Sequence, residues 1–433
     1  MKIAIIGAGS SYTPELIEGI ITRYDSLPVS EIALVDIEAG RSKLDIIEDF
    51  SKRMLKRAGL NIKISAGIDR RSALAGSSYV ITQIRVGGLA ARELDEKIPT
   101  EHGVIGQETT GAGGMAKALR TIPVILDIAH EMEELCPQAW LVNFTNPSGI
   151  VTEAVHKHSS IRCVGLCNAP MNMQRTLAAS LKLAPEDVDI SYVGLNHLSW
   201  ISRIWVRGED LTDELYARQD FVDQVASILG DEPVNKMIVS GNRLIPSYYL
   251  KYFYHPARQI EADRQALADG SGTRAVQVER VEKELFEIYA LETTDSKPEQ
   301  LSKRGGAWYS EAALTLIESL ENTDGSMHIV NVLNQGAISD LPDDCIVETN
   351  CYVDRSGVRP LVSGALPAEI AGLVKTIKGY EQLVVEAAVT GSREQALAAM
   401  LLNPLIADAD IAQPLLEALL EAHRKYLSVF FRT

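Results

Sequence analysis

The order of apolar and polar positions divides the chain into two parts. Up to about residue 170, apolar runs of strand length alternate with longer stretches of helical spacing. The predicted strands are Ile3–Ile6, Ile32–Asp36, Ile62–Ser65, Tyr79–Ile84, Trp140–Asn143 and Arg162–Leu166; predicted helices begin near Pro14, Arg41, Ser72 and Thr152, and a long one covers Ala116–Leu135. This alternation predicts an α/β fold, with a Rossmann-like, doubly wound parallel sheet over residues 1–170.

The pattern changes beyond about residue 175. Strand-like runs at Ser191–Val193 and Ser199–Val206 are followed by helical spacing over Thr273–Ala290 and Gly306–Ile317. Two further β-like runs, Met327–Leu333 and Cys345–Val353, come before a tail that is almost wholly helical from Pro367. We therefore expect residues 171–433 to form a mostly helical α+β domain that packs firmly on the first.

The composition limits the binding partners and the cellular compartment that we expect for this protein. The 433 residues carry a net charge of −16 without any block of Lys and Arg, so we expect no nucleic acid partner. No run of about 18 apolar residues predicts a membrane span, and the N-terminus reads as a strand and turn instead of a signal peptide. Five cysteines, an odd number in a long chain, favour the reducing cytoplasm.

The loop after the first predicted strand is a candidate dinucleotide site, formed by Gly7, Gly9, Ser10, Ser11 and Tyr12. Glycines let the backbone approach a pyrophosphate, and the amides of the following helix stabilise its charge. Asp36 ends the second strand, where a carboxylate binds a ribose hydroxyl and favours NAD over NADP. Tyr12 stands where the usual fingerprint has its third glycine, so a tight turn of another α/β fold stays an alternative.

Polar residues also follow the later predicted strands. They are Arg85 and Arg92, then Asn146, then Cys167 and Asn168. Ligands of such sheets bind beyond the carboxyl ends of the strands, so we expect all of these side chains in one crevice beside the nicotinamide, with Arg85 on the cofactor side. Taken singly, each also has an ordinary explanation as a surface arginine, a turn former or a buried thiol.

Cys167 and His197 lie thirty residues apart, each beside an asparagine. A thiolate and an imidazole together suit a transition-metal ion. The segment Ile105–Gly114, rich in glycine, is interpreted as a mobile or ligand-contacting loop, or alternatively as a flexible connection to the next helix.

Several segments of the sequence together resemble glycoside hydrolase family 4, and within it most closely the 6-phospho-β-glucosidases. The resemblance is carried by IAIIGAGSSYTPELIEGI, ITQIRVGG, IGQETTGAGG, NFTNPSGIVTEA, GLCNAP, GLNHLSW, TRAVQVERVEKELFEIY, KRGGAWYSEAA and YEQLVVEAAVTG, which run nearly from end to end. It implies NAD and Mn²⁺, or another divalent metal ion, as cofactors. It also implies a phosphorylated glycoside as substrate, and a homodimer or homotetramer.

The reaction implied by the resemblance is a redox-assisted elimination. NAD oxidises C3 of the sugar, a base removes the C2 proton, the aglycone leaves C1, water adds, and the hydride returns. By position, the resemblance implies that Cys167 and His197 bind the metal ion. It implies substrate binding by Arg92, Asn146, Asn168 and Arg274, with a further catalytic role for Asn168. The implied base is Tyr249, with Tyr248 and Tyr252 as alternatives.

Three other functions stay open on the sequence alone. One is a 6-phospho-α-glucosidase or another glycosidase of the same family, although Asn168 after the cysteine favours the β branch. A second is an NAD-dependent hydroxyacid dehydrogenase, which would not need the Cys167 and His197 pair. The third is a non-enzymatic NAD sensor.

Overall fold

The computed structural model describes residues 1–230, 232–304 and 309–432. Its strands are β1 Lys2–Ile6, β2 Glu31–Val35, β3 Lys63–Gly67, β4 Tyr79–Thr82, β5 Trp140–Asn143, β6 Arg162–Gly165, β7 Val188–Leu195, β8 Leu198–Val206, β9 Glu209–Asp210, β10 Ile245–Pro246, β11 Ser326–Leu333, β12 Ile346–Asp354 and β13 Gly357–Pro360. Its α-helices are α1 Thr13–Thr22, α2 Arg41–Arg57, α3 Arg70–Leu74, α4 Gly88–Glu101, α5 Gly111–Leu135, α6 Ser148–His158, α7 Ala169–Ser180, α8 Thr212–Tyr216, α9 Gln219–Ala226, α10 Pro233–Asn242, α11 Lys251–Tyr254, α12 Pro256–Ala268, α13 Arg274–Tyr289, α14 Tyr309–Glu321, α15 Ala368–Thr390, α16 Arg393–Leu402 and α17 Ala409–Ala422.

The first six strands form the predicted Rossmann-like sheet. They are all parallel and lie in the order β3-β2-β1-β4-β5-β6, which is the dinucleotide-binding order with its reversal between β1 and β4. Ile3 and Ile5 in the middle strand are fully buried, because helices cover both faces of the sheet. The α/β prediction is confirmed.

The main sheet does not stop at the predicted domain boundary. β11, β12 and β13 extend it beyond β6 as an antiparallel addition, with Asn331 paired to Gly165. The β-like runs predicted near 327–333 and 345–353 therefore exist, but they complete the first sheet. The division of the chain at residue 170 stays a prediction.

A smaller antiparallel sheet is built from β7, β8, β9 and β10. Hydrogen bonds of the Asn350 side chain in β12 connect it to the main sheet. The backbone N–H of Tyr192 donates to Asn350 Oδ1 at 2.7 Å, and Asn350 Nδ2 donates to the carbonyl of Ile190 at 2.8 Å. This connection holds the β7–β8 hairpin over the end of β6.

One helix near the predicted site was not predicted, and another begins earlier than predicted. Helix α4 was not predicted, and it places Arg92 inside a helix instead of directly after a strand. Helix α5 begins at Gly111, so the supposed loop ends at Thr110 and three of its glycines form the first helical turn. A side chain on Gly114 would come within 2.5 Å of the backbone of Thr109, so glycine here permits close packing.

The rest of the chain is mainly helical, as predicted. The first residues of the predicted helix Gly306–Ile317 lie outside the described residues, and α14 is described from Tyr309 onward. Across the ranges that the structure describes, no helix is both long and apolar enough to span a membrane.

Candidate active site

The loop between β1 and α1 has the geometry of a dinucleotide-binding turn. Gly7 has φ +84°, which favours glycine, and a side chain on Gly9 would meet Asp36 Oδ2 at 2.7 Å. The N–H of Gly9 instead donates to that oxygen at 2.7 Å, while the N–H of Ile37 donates to Asp36 Oδ1 at 2.8 Å. The structure thus brings Asp36 to the loop.

The chemistry of Asp36 suits a ribose. Burial raises the pKa of this carboxyl, although the N–H groups of Ile37 and Gly9 and the charge of Lys43 act in the opposite direction. Each carboxylate oxygen has a further lone pair that can accept a hydrogen bond from a ribose hydroxyl. The loop and Asp36 therefore fit an NAD-type cofactor.

Ser10, Ser11 and Tyr12 have different surroundings within this loop. Ser10 Oγ accepts from the N–H of Tyr12 at 3.3 Å, which closes the turn before α1. The Ser11 hydroxyl is fully buried and donates to Glu282 Oε1 at 3.2 Å, so it faces the C-terminal half of the chain. Glu282 was missed in the sequence because the charged positions of α13 look like a solvated helix face.

Cys167 and His197 are brought together at the end of β6. Cys167 Sγ lies 3.5 Å from His197 Nε2, and His197 Nδ1 is a buried atom without a hydrogen-bond partner among the described residues. His197 is in the two-residue turn between β7 and β8 with φ +65°, a strained conformation of the kind that clusters at functional sites.

The protonation state of His197 suits metal binding, whereas Cys167 must first lose its proton. Burial lowers the pKa of His197 to about 3, with a smaller effect from Lys117, so the imidazole is neutral. Burial, followed by the charge of Glu348, raises the pKa of Cys167, so an arriving metal ion must displace the thiol proton. No group of three or more His, Cys, Asp or Glu side chains with metal-binding geometry exists within the described ranges. Mn²⁺ prefers oxygen ligands, which amides, water or a substrate can supply.

Three tyrosines lie near the pair formed by Cys167 and His197, called the metal pair below. The Tyr249 ring stacks on His197 with 3.7 Å between centroids, and its own centroid is 4.6 Å from Tyr248 and 6.4 Å from Tyr252. Burial, and then Tyr248 and Cys167, raise the pKa of Tyr249 well above its usual value. Tyr249 can serve as a base only with a cation close to its oxygen.

A group of cations surrounds Glu108 near the start of α5. Glu108 forms ion pairs with Arg85, with Arg92 at 3.0 Å and with Lys117 at 2.8 Å, and Arg92 Nε also donates to Glu96 at 2.7 Å. Burial alone would raise the pKa of Glu108, but the three cations bring it well below its usual value. Burial and Arg85 lower the pKa of Lys117 to about 7.

Glu108 and Lys117 were not among the predicted site residues. A lysine among the apolar residues of α5 is the one sequence feature that could have drawn attention to this group, since unpaired lysines are almost never buried. The structure brings Arg85 and Arg92 together on one carboxylate, that of Glu108.

The other predicted substrate residues have separate surroundings. Asn146 Oδ1 accepts from the N–H of Ser148 at 3.4 Å, and Asn168 comes directly before α7 and next to Cys167. Arg274 begins α13 and is exposed, with one guanidinium nitrogen 3.2 Å from Gln277 Oε1. The next residue, Ala275, donates its N–H to Glu96 at 2.8 Å, which joins this helix end to the partner of Arg92.

A buried carboxylate beneath the metal pair was also missed. Glu348 Oε1 accepts from Asn196 Nδ2 and from Asn331 Nδ2, each at 3.1 Å. Burial raises the pKa of Glu348 to about 7, against the effect of these amides. Its position in the strand run Cys345–Val353, among apolar neighbours, is the only feature of the sequence that could have indicated it.

Fold and site together define an α/β protein that binds a dinucleotide and places a Cys–His pair at the carboxyl edge of its sheet. The family model of the family 4 glycosyl hydrolases matches residues 2–183, and that of their C-terminal domain matches residues 192–406. The chain belongs to glycosyl hydrolase family 4.

Relatives in this family extend over the whole chain. A probable 6-phospho-beta-glucosidase of Bacillus subtilis is 45% identical and covers 100% of this chain and 98% of its own length, whereas a phospho-alpha-glucosidase of Clostridium acetobutylicum is 31% identical with 98% of each covered. The solved 6-phospho-beta glucosidase of Thermotoga maritima, which contains manganese, NAD⁺ and glucose-6-phosphate, has a TM-score of 0.88 and 38% identity over 98% of this chain and 99% of that one.

Proposed function

We propose that this protein hydrolyses 6-phospho-β-glucosides to glucose 6-phosphate and an alcohol or sugar, using NAD and Mn²⁺ or another divalent metal ion. The observation that carries the proposal is the pair Cys167 Sγ and His197 Nε2, 3.5 Å apart, beyond a strand of an NAD-binding sheet. Asn168 after the cysteine, and the higher identity to the β-specific than to the α-specific relative, favour the β-anomer.

When bound, NAD would exchange a hydride with C3 of the sugar, and the metal ion would supply positive charge beside the oxygens of C2 and C3. Cys167 and His197 hold the metal ion as thiolate and neutral imidazole. The ketone formed at C3 acidifies the C2 proton, so a base can remove it and the aglycone can leave C1.

Tyr249 is proposed as the base that removes the C2 proton. Its ring stacks directly on that of His197, and the rings of Tyr248 and Tyr252 pack against Tyr249 at 4.6 Å and 6.4 Å. The raised pKa of Tyr249 makes its phenolate depend on the positive charge of the metal ion. Base strength and metal occupancy are therefore coupled in this site.

Arg92, Asn146, Asn168 and Arg274 are proposed to bind the sugar and its phosphate. Arg92 is fixed by two carboxylates, Glu96 and Glu108, which hold its guanidinium in one orientation before substrate arrives. Asn168, beside Cys167, is placed to contact the sugar or the departing oxygen. The loop residues Gly7, Gly9, Ser10, Ser11 and Tyr12, together with Asp36 and Arg85, are proposed to bind NAD.

We further propose a cytoplasmic homodimer or homotetramer. All five cysteines are free, which fits a reducing compartment and a ligand that must be a thiolate. Light scattering coupled to gel filtration would measure the number of subunits, and a monomer would contradict this part of the proposal.

A panel of p-nitrophenyl α- and β-glucosides, each with and without a 6-phosphate, tests the function. With NAD, Mn²⁺ and a thiol reductant, we expect cleavage of the β-glucoside 6-phosphate with a steady absorbance at 340 nm, since NAD ends each cycle oxidised. Net NADH formation with a hydroxyacid would instead identify a dehydrogenase. Cleavage that persists without NAD, or after chelation, would refute the redox mechanism.

A further inference from the structure

Arg304 stands out among the side chains around the dinucleotide loop. It follows α13 in the chain, and its guanidinium carbon lies 4.1 Å from the centroid of the Tyr12 ring. Tyr12 is the residue directly before α1, at the position where the usual fingerprint has its third glycine. The cation–π contact with Tyr12 thus places the Arg304 guanidinium near the N-terminal end of this helix.

The guanidinium is buried and only partly satisfied. The Arg304 side chain is 10% exposed, and one terminal nitrogen donates to Glu282 Oε1 at 3.2 Å. Its Nε is buried and has no hydrogen-bond partner in the part of the chain that the structure describes. A buried donor without an acceptor is costly, so a ligand that supplies the acceptor would explain its retention.

The local charge favours an anion as that ligand. Glu282 also binds Lys43 at 2.6 Å, so one carboxylate is shared by two cations. Burial would raise the pKa of Glu282, but Arg304 and Lys43 lower it, so the carboxylate is ionised and already committed to these partners. The positive end of the α1 dipole lies beside the same group, which adds to the attraction for negative charge.

We propose that Arg304 binds the pyrophosphate of the dinucleotide, acting over Tyr12 from the C-terminal half of the chain. This inference rests on the proposed use of NAD. In a Rossmann-like sheet the pyrophosphate lies on the glycine loop and the first helix N-terminus, which is where Tyr12 holds the guanidinium. Nε and a terminal nitrogen of arginine form the planar fork that binds phosphate oxygens. The missing glycine is then replaced by a residue that presents a cation.

Arg304→Gln, Arg304→Lys and the control Arg355→Gln test the proposal by calorimetric titration with NAD. Arg355 is exposed in the turn between β12 and β13, so its loss changes the net charge equally, away from the loop. Losing charge-assisted hydrogen bonds predicts NAD binding that is roughly 10- to 100-fold weaker for Arg304→Gln, with no change for the control. Arg304→Lys keeps the charge opposite Glu282 but lacks the fork, so it should fold and still bind NAD several-fold less tightly.

Ligand-observed NMR with adenosine, and titration with glucose 6-phosphate, identify the group that Arg304 contacts. Both ligands should bind the Arg304 variants as they bind the wild type, because neither carries the pyrophosphate. Weaker glucose 6-phosphate binding with unchanged NAD binding would assign Arg304 to the sugar phosphate and overturn the proposal, as would unchanged NAD binding alone. If the wild-type protein itself does not bind NAD, the proposed function fails first, and this inference fails with it.

Discussion

Asp95→Asn tests how much the structure depends on one buried ion pair between α4 and α5. Both side chains, Asp95 and Arg120, are 0% exposed. Arg120 Nη1 donates to Asp95 Oδ1 at 2.7 Å, and its Nε donates to the carbonyl of Val86 at 2.9 Å. His423 Nε2 also lies 2.9 Å from Asp95 Oδ1. The substitution keeps the volume of the side chain but leaves a buried guanidinium without its counter-charge and turns an amide donor toward another donor.

Removing one partner of a fully buried pair costs about 3–5 kcal/mol, so we expect the free energy of unfolding to fall by that amount. Urea denaturation of the cofactor-free protein, followed by circular dichroism, measures it. Asp220→Asn is the matched control, because its partner Arg218 is 54% exposed and Asp220 is 72% exposed, and solvent screening leaves such a surface pair with little effect on stability. If the two substitutions had equal effects, the argument that this pair stabilises the α4–α5 contact would be wrong.

Three further outcomes follow from the site. Burial raises the pKa of Glu348 to about 7, so its contribution to stability is fully present below about pH 4.5 and is lost as pH rises to 7. Glu348→Gln, compared with wild type under chelation, should therefore gain up to about 3 kcal/mol in relative stability across that range, and a flat difference in denaturation experiments would contradict this. Cys167→Ser should weaken Mn²⁺ binding, measured by electron paramagnetic resonance, by at least about 100-fold, with NAD affinity unchanged. Tyr249→Phe should slow exchange of the C2 hydrogen with D₂O by about 10²- to 10⁴-fold, whereas Tyr252→Phe should change it much less; the reverse order would make Tyr252 the base.

The Rossmann-like half could be predicted because its information is local. Each buried parallel strand is a short apolar run, and the glycine turn with Asp36 one strand later is a pattern that only a few backbone geometries explain. Helix α4 was not predicted because its many charged residues obscure the apolar spacing of a buried helix. Arg92, Asp95 and Glu96 look like a solvated face, yet all three are buried in the structure. Charged residues usually indicate an exposed helix face, but here they are buried in ion pairs. Their partners belong to other segments, so the sequence of α4 alone does not reveal them.

The site itself joins residues that are far apart in sequence. Glu282 meets Ser11 of the first loop, and Glu348 meets Asn196 of the β7–β8 turn. No local periodicity encodes such pairs, because each carboxylate satisfies the ordinary pattern of its own helix or strand. A resemblance between sequences could name Cys167 and His197, but it could not place the carboxylates behind them.

Gly165 shows how the two halves of the chain become one site. A side chain at this position would come within 2.8 Å of both Asn331 Cβ and Ser148 Oγ, so glycine is what lets β11 pair with β6. Asn331 in turn donates to Glu348, whose other amide donor, Asn196, is adjacent to His197 in the chain. The antiparallel extension of the sheet therefore determines where the imidazole ligand lies relative to Cys167, two residues after Gly165. For this reason the metal pair depends on residues 326–354, and a Rossmann-like half ending at residue 170 would hold only one of the two ligands.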